Sequence, residues 1–385
     1  MLPLLEKKHP ILDTLLSKPF TYSKDYINMY NFVRSIHFKQ PYQKLLSDII
    51  IKKFGIHYHE QTIHNNYNEH PDLYIHEFKN VLLYCGLPFD DNGNLIFDAI
   101  RIYESAPVKN IISGKFIASV GNWYYIFKKL KNFDIQYNKG EYIFSECLSP
   151  FGHRLLETIT QFWVFDFFPN ARMLLAPQSD ITEYLCSYCR PFSLEKEQFF
   201  SPGMACIFEK LYIPTRSYMH KCYISQAAIN IWRKIRDFYA YKKNDSPKKV
   251  YLSRKYISGR SLINEDKCEE LLKKFGFSII NMEKLSICEQ INIIYNAEYV
   301  AGPIGSAMHN MVFCDETLIK SVLYLSPNKF RSELAYHNFE RSFNRTFNVV
   351  YGKTTTKHDE KAKTGSSPWV IDTENLRHAI EQWLV

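Results

Sequence analysis

Residues 248–327 read KKVYLSRKYISGRSLINEDKCEELLKKFGFSIINMEKLSICEQINIIYNAEYVAGPIGSAMHNMVFCDETLIKSVLYLSP. Residues 249–253 form a short apolar strand. A helix follows over 264–275, with Leu271, Leu272 and Phe275 on one side. Residues 277–281 (FSIIN) make a second strand, and 286–296 a second helix with Ile287, Ile291 and Ile294 in register. A third strand at 299–301 runs into the turn Gly302-Pro-Ile-Gly305, then a helix over 306–313 and a fourth strand over 321–325. Strands alternating with helices at this spacing predict βαβ units and a parallel sheet.

The turn after the third strand carries the first chemical signal. Gly302 and Gly305 let the backbone turn sharply and approach a ligand closely. Ser306 stands as the N-cap of the next helix, whose free N–H groups suit a phosphate. Ligands of open α/β sheets sit at the carboxyl ends of strands. Arg254, Lys255 and Arg260 lie just past the first strand, on the same edge of the sheet, and three cations there suit a diphosphate. A tight βα connection with no ligand and a solvated basic loop fit the same residues, since G-x-x-G is a weak pattern.

Upstream, residues 141–146 (EYIFSE) read as a strand, followed by a turn at 147–152 and a helix over 153–165. His153 and Glu157 are one turn apart on that helix, at the carboxyl edge of its sheet. A His–carboxylate pair can act as a general base, either as His oriented by Glu or as Glu acting directly. A surface pair at the same spacing is the bland alternative. Residues 115–127, 170–177 and 199–212 supply further strands, and 225–239 a helix whose apolar stripe (Ala228, Ile229, Trp232, Ile235, Phe238) is core. The polar run 241–249 reads as a linker.

Residues 1–105 show no α/β alternation. Helical spacing over 26–53 predicts one or two helices there, and the histidines at 57, 59, 64, 70 and 76 lie in a polar stretch that fits no common metal site. Beyond Pro327, residues 331–347 mix aromatic and charged groups, with His337 among them, and fit a cover for a nucleotide base. A polar loop spans 352–368, a short strand 369–371, and Asp372 or Thr373 caps a last helix.

The 385 residues are enough for two domains. The 27 Tyr and 28 Phe are many, but an AT-rich coding sequence would raise Phe, Tyr, Ile, Asn and Lys together. The net charge of +8 suits anionic partners, yet no Lys/Arg block forms a nucleic-acid arm. No apolar run of about 18 residues predicts a membrane span, and the first ten residues lack a signal-peptide core. The 9 cysteines are odd in number and scattered, as in a cytosolic protein with reduced thiols. Cys186 and Cys189 are the only close pair, with no second pair to complete a zinc site.

The patterns Arg254-Lys-x4-Arg260-x3-Asn264, Glu283-Lys-Leu-Ser-x2-Glu289-Gln290 and Ala301-Gly-Pro-Ile-Gly-Ser-x3-Asn310-Met-Val-Phe313 together resemble the catalytic half of glycosyltransferase family 61. So does the upstream run from Phe151 through His153 and Glu157 to Trp163. The resemblance covers about residues 140–330. It departs from the family at Ile304, where relatives usually carry His, and at Glu157, where many carry Asp. His309 stands five residues after Ile304, where a small polar residue is usual. The fold the resemblance implies is α/β and GT-B-like, with two Rossmann-like domains facing a cleft. The domains expected are a mostly helical extension (1–105), an acceptor domain (106–241), a nucleotide-sugar domain (242–350) and a closing loop and helix (351–385).

The activity implied is inverting transfer of a sugar from a nucleotide-sugar donor to a glycan or lipid-linked saccharide, of the kind used in capsular or surface polysaccharide synthesis. His153 and Glu157 are then the catalytic pair. Arg254, Lys255, Arg260, Gly302, Gly305, Ser306 and His309 form the donor and phosphate site; Asn310 braces its turn, and Glu283 is set to meet the ribose or to be a plain surface acid. No Asp-x-Asp stands near a strand end, so the reading needs neither metal nor cofactor. It places the protein in the cytoplasm or at the inner face of the membrane, as a peripheral partner, with no nucleic acid bound. Two other readings remain: a nucleotide-sugar epimerase, which would interconvert donors without acceptor, and a catalytically silent subunit binding nucleotide or polysaccharide.

Overall fold

The computed structural model describes residues 32–38, 51–54, 73–84, 87–89, 96, 135–145, 151–175, 182–203, 205–219, 223–257, 259–328, 333–355 and 367–385. The strands in chain order begin with β1 (Phe32–Phe38), β2 (Ile51–Phe54), β3 (Leu73–Tyr84), β4 (Leu87–Phe89), β5 (Gln136–Ile143), β6 (Arg172–Leu174), β7 (Phe199–Phe200) and β8 (Ala205–Pro214). They continue with β9 (Tyr218–Met219), β10 (Tyr223–Ile224), β11 (Lys249–Leu252), β12 (Ser278–Ile280), β13 (Tyr299–Pro303), β14 (Ser321–Pro327), β15 (Phe347–Thr354) and β16 (Trp369–Val370). Two compact units divide the chain: Met1–Pro41 with Pro71–Ser217, and Tyr42–His70 with Tyr218–Val385.

The second unit follows the expected alternation. Its sheet runs β12-β11-β13-β14-β15, all parallel, with β2 also parallel and β16 antiparallel to β15. Val250, Tyr251, Leu252, Val300, Ala301, Val322, Leu323, Tyr324 and Leu325 are all buried, so neighbours facing opposite ways are both covered. That is the mark of a parallel sheet with helices on both faces. Helices Glu265–Lys274 and Thr373–Trp383 pack together, and so do Gln226–Tyr239, Ile287–Asn296 and the 3-10 helix Ser306–Phe313. Cys268, Leu272, Leu376, Ile380 and Trp383 close one core with Tyr251, Ala301, Leu323 and Val350. Each buried leucine there contributes about 1.5–3 kcal/mol.

Local signals fix the helix starts. Ser225 accepts from the amide of Ala228, and Asp372 from that of Asn375. Ser286 and Glu289 form a reciprocal capping box, which gives that part of the Glu283–Gln290 pattern a structural reason. The polar run expected as a linker lies inside the second unit. Asn292 and Asn296 bond the backbone of Tyr241, and Asn296 that of Lys243.

The first unit holds a mixed sheet in the order β1-β3-β8-β5-β6-β7, with β4 beside β3. β8, β5, β6 and β7 are mutually parallel, while β1 and β3 complete the sheet antiparallel. Residues 32–38 and 51–53, expected as helix, lie in the strands β1 and β2. Phe32 and Ile36 are an even number of residues apart, which satisfies a strand's period of two as well as a helix turn. Pairing of β1 with β3 and of β2 with β15 decides it. The rest of that helical expectation, the strand at 115–127 and His57, His59, His64 and His70 lie outside the described residues. His76 sits in β3, opposite Ile213. No helix among the described residues is long and apolar enough to cross a membrane.

Candidate functional site

In the second unit the chain goes from β11 to β12 on one side, then returns to place β13 on the other. The carboxyl ends of β11 and β13 therefore border the point where strand order reverses, the usual ligand crevice of an open α/β sheet. Arg254 lies two residues beyond β11, and Gly305 two beyond β13. They touch. A Cβ on Gly305 would lie 2.0 Å from an Nη of Arg254, so only glycine leaves room for the guanidinium.

Arg254 is 6 % exposed. Its backbone N–H donates to the Glu265 carboxylate at 2.7 Å, and the same oxygen accepts from the Tyr251 hydroxyl at 3.1 Å. The turn 254–257 closes with Ile257 N–H on the Arg254 carbonyl. The guanidinium itself donates to the Gly259 carbonyl at 3.4 Å. Burial lowers its pKa, and the nearby Arg260 charge lowers it further. Arg260 follows Gly259, and both have left-handed backbones, φ 53° and 80°. Trp369 holds that loop by donating its indole N–H to the Arg260 carbonyl at 3.1 Å. Two guanidinium charges are thus held close together, an arrangement an anion would relieve.

The helix after Gly305 adds donors. Gly305, rather than the expected Ser306, is its N-cap, in extended backbone, and Ser306 is the first helical residue. The glycine carbonyl accepts from the Met308 amide. The amides of Gly305, Ser306 and Ala307 make no hydrogen bond to any described residue. Buried behind the turn, Tyr336 donates its hydroxyl to the Gly305 carbonyl at 3.1 Å and lies 3.1 Å from His309 Nε2. Burial pushes the Tyr336 phenol up to about 12, against the pull of Arg260 and Arg254. Asn310, 1 % exposed, donates to the Ala307 carbonyl at 3.1 Å, and its side-chain oxygen bonds none of the described residues.

In the first unit, residues 151–166 form one helical rod after β5. It does not keep α geometry. Arg154–Thr158 widen to a π turn, with Ile159 N–H on the Arg154 carbonyl, and Ile159–Asp166 tighten to 3-10. Single π turns recur at functional sites. His153 Nδ1 lies 2.9 Å from Glu157 Oε2 across this turn. The imidazole is 35 % exposed and the carboxylate 2 %. A buried carboxylate holding Nδ1–H puts the imidazole lone pair on Nε2. β5 lies between β8 and β6, both parallel to it, so the rod also starts at a reversal of strand order.

Arg254, Arg260, Gly305, Ser306, His309 and Asn310 are therefore brought into one region. Glu283, exposed in the 3-10 turn Met282–Lys284 that follows β12, is close enough for its charge to act on Arg254. Lys255 is drawn instead to Asp266, in an exposed ion pair. Gly302 serves packing: a Cβ there would meet Met308 Sδ at 2.8 Å and the Leu252 carbonyl at 3.0 Å. Two residues had no site role in the sequence reading. Glu265 begins a helix, where acids are common; Tyr336 lies far along the chain, in the stretch expected to cover a nucleotide base. Among the described residues no group of three or more His, Cys, Asp or Glu could hold a metal ion. Cys186 and Cys189 are thiols, not joined in a disulfide.

The family Glycosyltransferase 61 matches residues 151–320. The match begins at the rod with His153 and Glu157 and runs past the helix that follows Gly305. That family supports glycosyltransferase activity. No curated protein matches the chain.

Proposed function

We propose that this chain, which the family Glycosyltransferase 61 matches over residues 151–320, moves a sugar from a nucleotide-sugar donor to a saccharide hydroxyl with inversion at the anomeric carbon. The observation that carries the reading is the buried Arg254 guanidinium seated against Gly305, beside Arg260 and three amides with no described acceptor. These are donors aimed at a place where charge can develop. A leaving nucleoside diphosphate supplies that charge.

In this reading, which keeps the GT-B assignment of roles, the second unit takes the donor and the first supplies the base. The acceptor hydroxyl attacks the anomeric carbon as the bond from that carbon to the phosphate oxygen breaks. The hydroxyl proton passes to His153 Nε2, and Glu157 stabilises the imidazolium formed. The diphosphate leaves with both electrons of the broken bond, and the two arginines and the amides of residues 305–307 receive its charge. The 2 % exposure of the Glu157 side chain favours His153 as the base and Glu157 as its partner. The acceptor in this reading is a glycan or lipid-linked saccharide of capsular or surface polysaccharide synthesis. The work is done in the cytoplasm or at the inner face of the membrane, without metal or nucleic acid.

A thermal-shift screen with UDP-, GDP-, CMP- and dTDP-linked sugars tests the donor site. Binding to the folded state raises the apparent melting temperature. One donor class should raise it in the wild type and not in Arg254→Ala. Equal shifts in both proteins would remove the phosphate from this loop.

A further inference from the structure

Tyr336 and His309 have a role the sugar-transfer reading does not use. The Tyr336 hydroxyl has one proton and two neighbours, the Gly305 carbonyl and His309 Nε2, each at 3.1 Å. A carbonyl oxygen only accepts. The phenol proton therefore goes to Gly305, and the His309 nitrogen facing the phenol oxygen must be Nε2–H. The order of donation is His309 to Tyr336 to Gly305.

That chain ends on one peptide plane. The Gly305 carbonyl and the Ser306 N–H belong to the same rigid unit and point in opposite directions. The carbonyl is held by Tyr336 on one side and by the Met308 amide on the other. Fixing it fixes the aim of the Ser306 N–H, one of the three amides with no described acceptor. The phenol ring is itself held by packing: Tyr324 lies edge-on with centroids 5.3 Å apart, and Phe339 at 6.3 Å. Tyr336 as a whole is 2 % exposed.

We infer that Tyr336 and His309 are positioning residues of a diphosphate site, acting through the Gly305–Ser306 peptide plane. This rests on the reading of the Arg254 loop as an anion site. It gives His309 a different task from the phosphate contact expected of it: the imidazole touches the phenol, and the phenol sets the backbone.

The test is titration calorimetry with inorganic pyrophosphate as the probe, on the full chain, with a melting curve for every variant. Tyr336→Phe should bind pyrophosphate roughly three- to tenfold more weakly, the factor expected for one hydrogen bond. His309→Leu should lose a similar factor, and His309→Gln, which keeps an N–H donor, should stay within about twofold of wild type. Should Tyr336→Phe fail to fold, the contrast between His309→Leu and His309→Gln carries the test alone. Unchanged affinity in Tyr336→Phe and His309→Leu overturns the inference and leaves the anion site standing. Equal loss in His309→Gln and His309→Leu overturns the donor chain. A wild-type protein that does not bind pyrophosphate removes the anion site itself, and this inference with it.

Discussion

In the first unit the chain leaves β5 for the rod that carries His153, while β8 joins β5 from the other side. In the second it leaves β11 for β12, and β13 joins β11 from the other side. The two candidate sites therefore occupy equivalent places in two different sheets, yet they are built in opposite ways. At the first, the imidazole is the more exposed group, at 35 %, and its carboxylate partner is the buried one. At the second, the cation Arg254 is buried, and backbone amides make up the rest. A group that takes a proton from an incoming hydroxyl must be reachable, and its orienting partner is best kept dry. Two cations that repel each other need a rigid frame, and glycine, a buried acid and a turn provide it.

The largest effect separating the two regions should come from His153→Ala. Turnover should fall by roughly a hundredfold to ten-thousandfold, the usual contribution of a general base, with donor affinity unchanged. Glu157→Gln should cost less if the carboxylate only orients the ring. Single-turnover transfer at saturating donor, beside a donor titration, reads both. A folded His153→Ala that transfers at the wild-type rate would return the pair to an ordinary helix contact.

Arg254→Ala and Arg260→Ala should show the reverse pattern. Losing a charge-assisted phosphate contact should weaken nucleoside diphosphate binding by about 1.5–3 kcal/mol. Arg254→Ala belongs at the upper end, because its charge is the less solvated. Equilibrium binding measures this, and intact affinity in both would erase the distinction drawn above.

Gly305→Ala sharpens the comparison. The clash falls on the far end of the Arg254 side chain rather than on backbone, so the guanidinium can swing aside. Diphosphate affinity should drop nearly as far as in Arg254→Ala, with a small change in melting temperature. Gly352→Ala is the contrasting case. Its Cβ would meet the Val370 carbonyl at 2.4 Å and the Trp369 ring at 2.5 Å, and overpacking of that kind costs about 1–3 kcal/mol of stability. Calorimetric melting should separate the two glycines.

The smallest effect belongs to Lys255. Its exposed pairing with Asp266 predicts that Lys255→Ala changes diphosphate affinity by less than about twofold, since exposed pairs contribute little. A loss as large as that of Arg254→Ala would show that the lysine turns toward the anion when it binds.

Much of the second unit was legible because period and punctuation agreed. Apolar strands alternated with amphipathic helices, and Ser225, Ser286 and Asp372 marked helix starts by residue type alone. The contact between His153 and Glu157 was legible from their spacing, and the nearness of Arg254 to Gly305 from their places after neighbouring strands. Residues 32–38 misled because an i, i+4 pair obeys both periods, and only a strand partner decides between them. Ser306 looked like a cap because serine usually is one; Gly305 took the place since its carbonyl closes the first turn. The π turn could not be read, because no residue type encodes an i+5 bond. Tyr336 could not be found because its meaning lies in a contact across 31 positions of chain.

Trp369 closes a loop far from it in the chain. Its amide donates to the Ser261 carbonyl, its own carbonyl accepts from Ile263, and its indole holds Arg260. The Asn264 side chain bonds Ile371 in both directions. In time as well as in space this has a consequence. A chain emerging from the ribosome has Arg254, Gly305 and Tyr336 in hand well before it has Trp369. Until residues 369–371 are made, the left-handed turn at Gly259 and Arg260 lacks the indole that holds the Arg260 carbonyl. The pair of arginines is completed only once residues 369–371 are made, so a chain arrested or clipped before them keeps most of its sheet and still lacks its charge cradle.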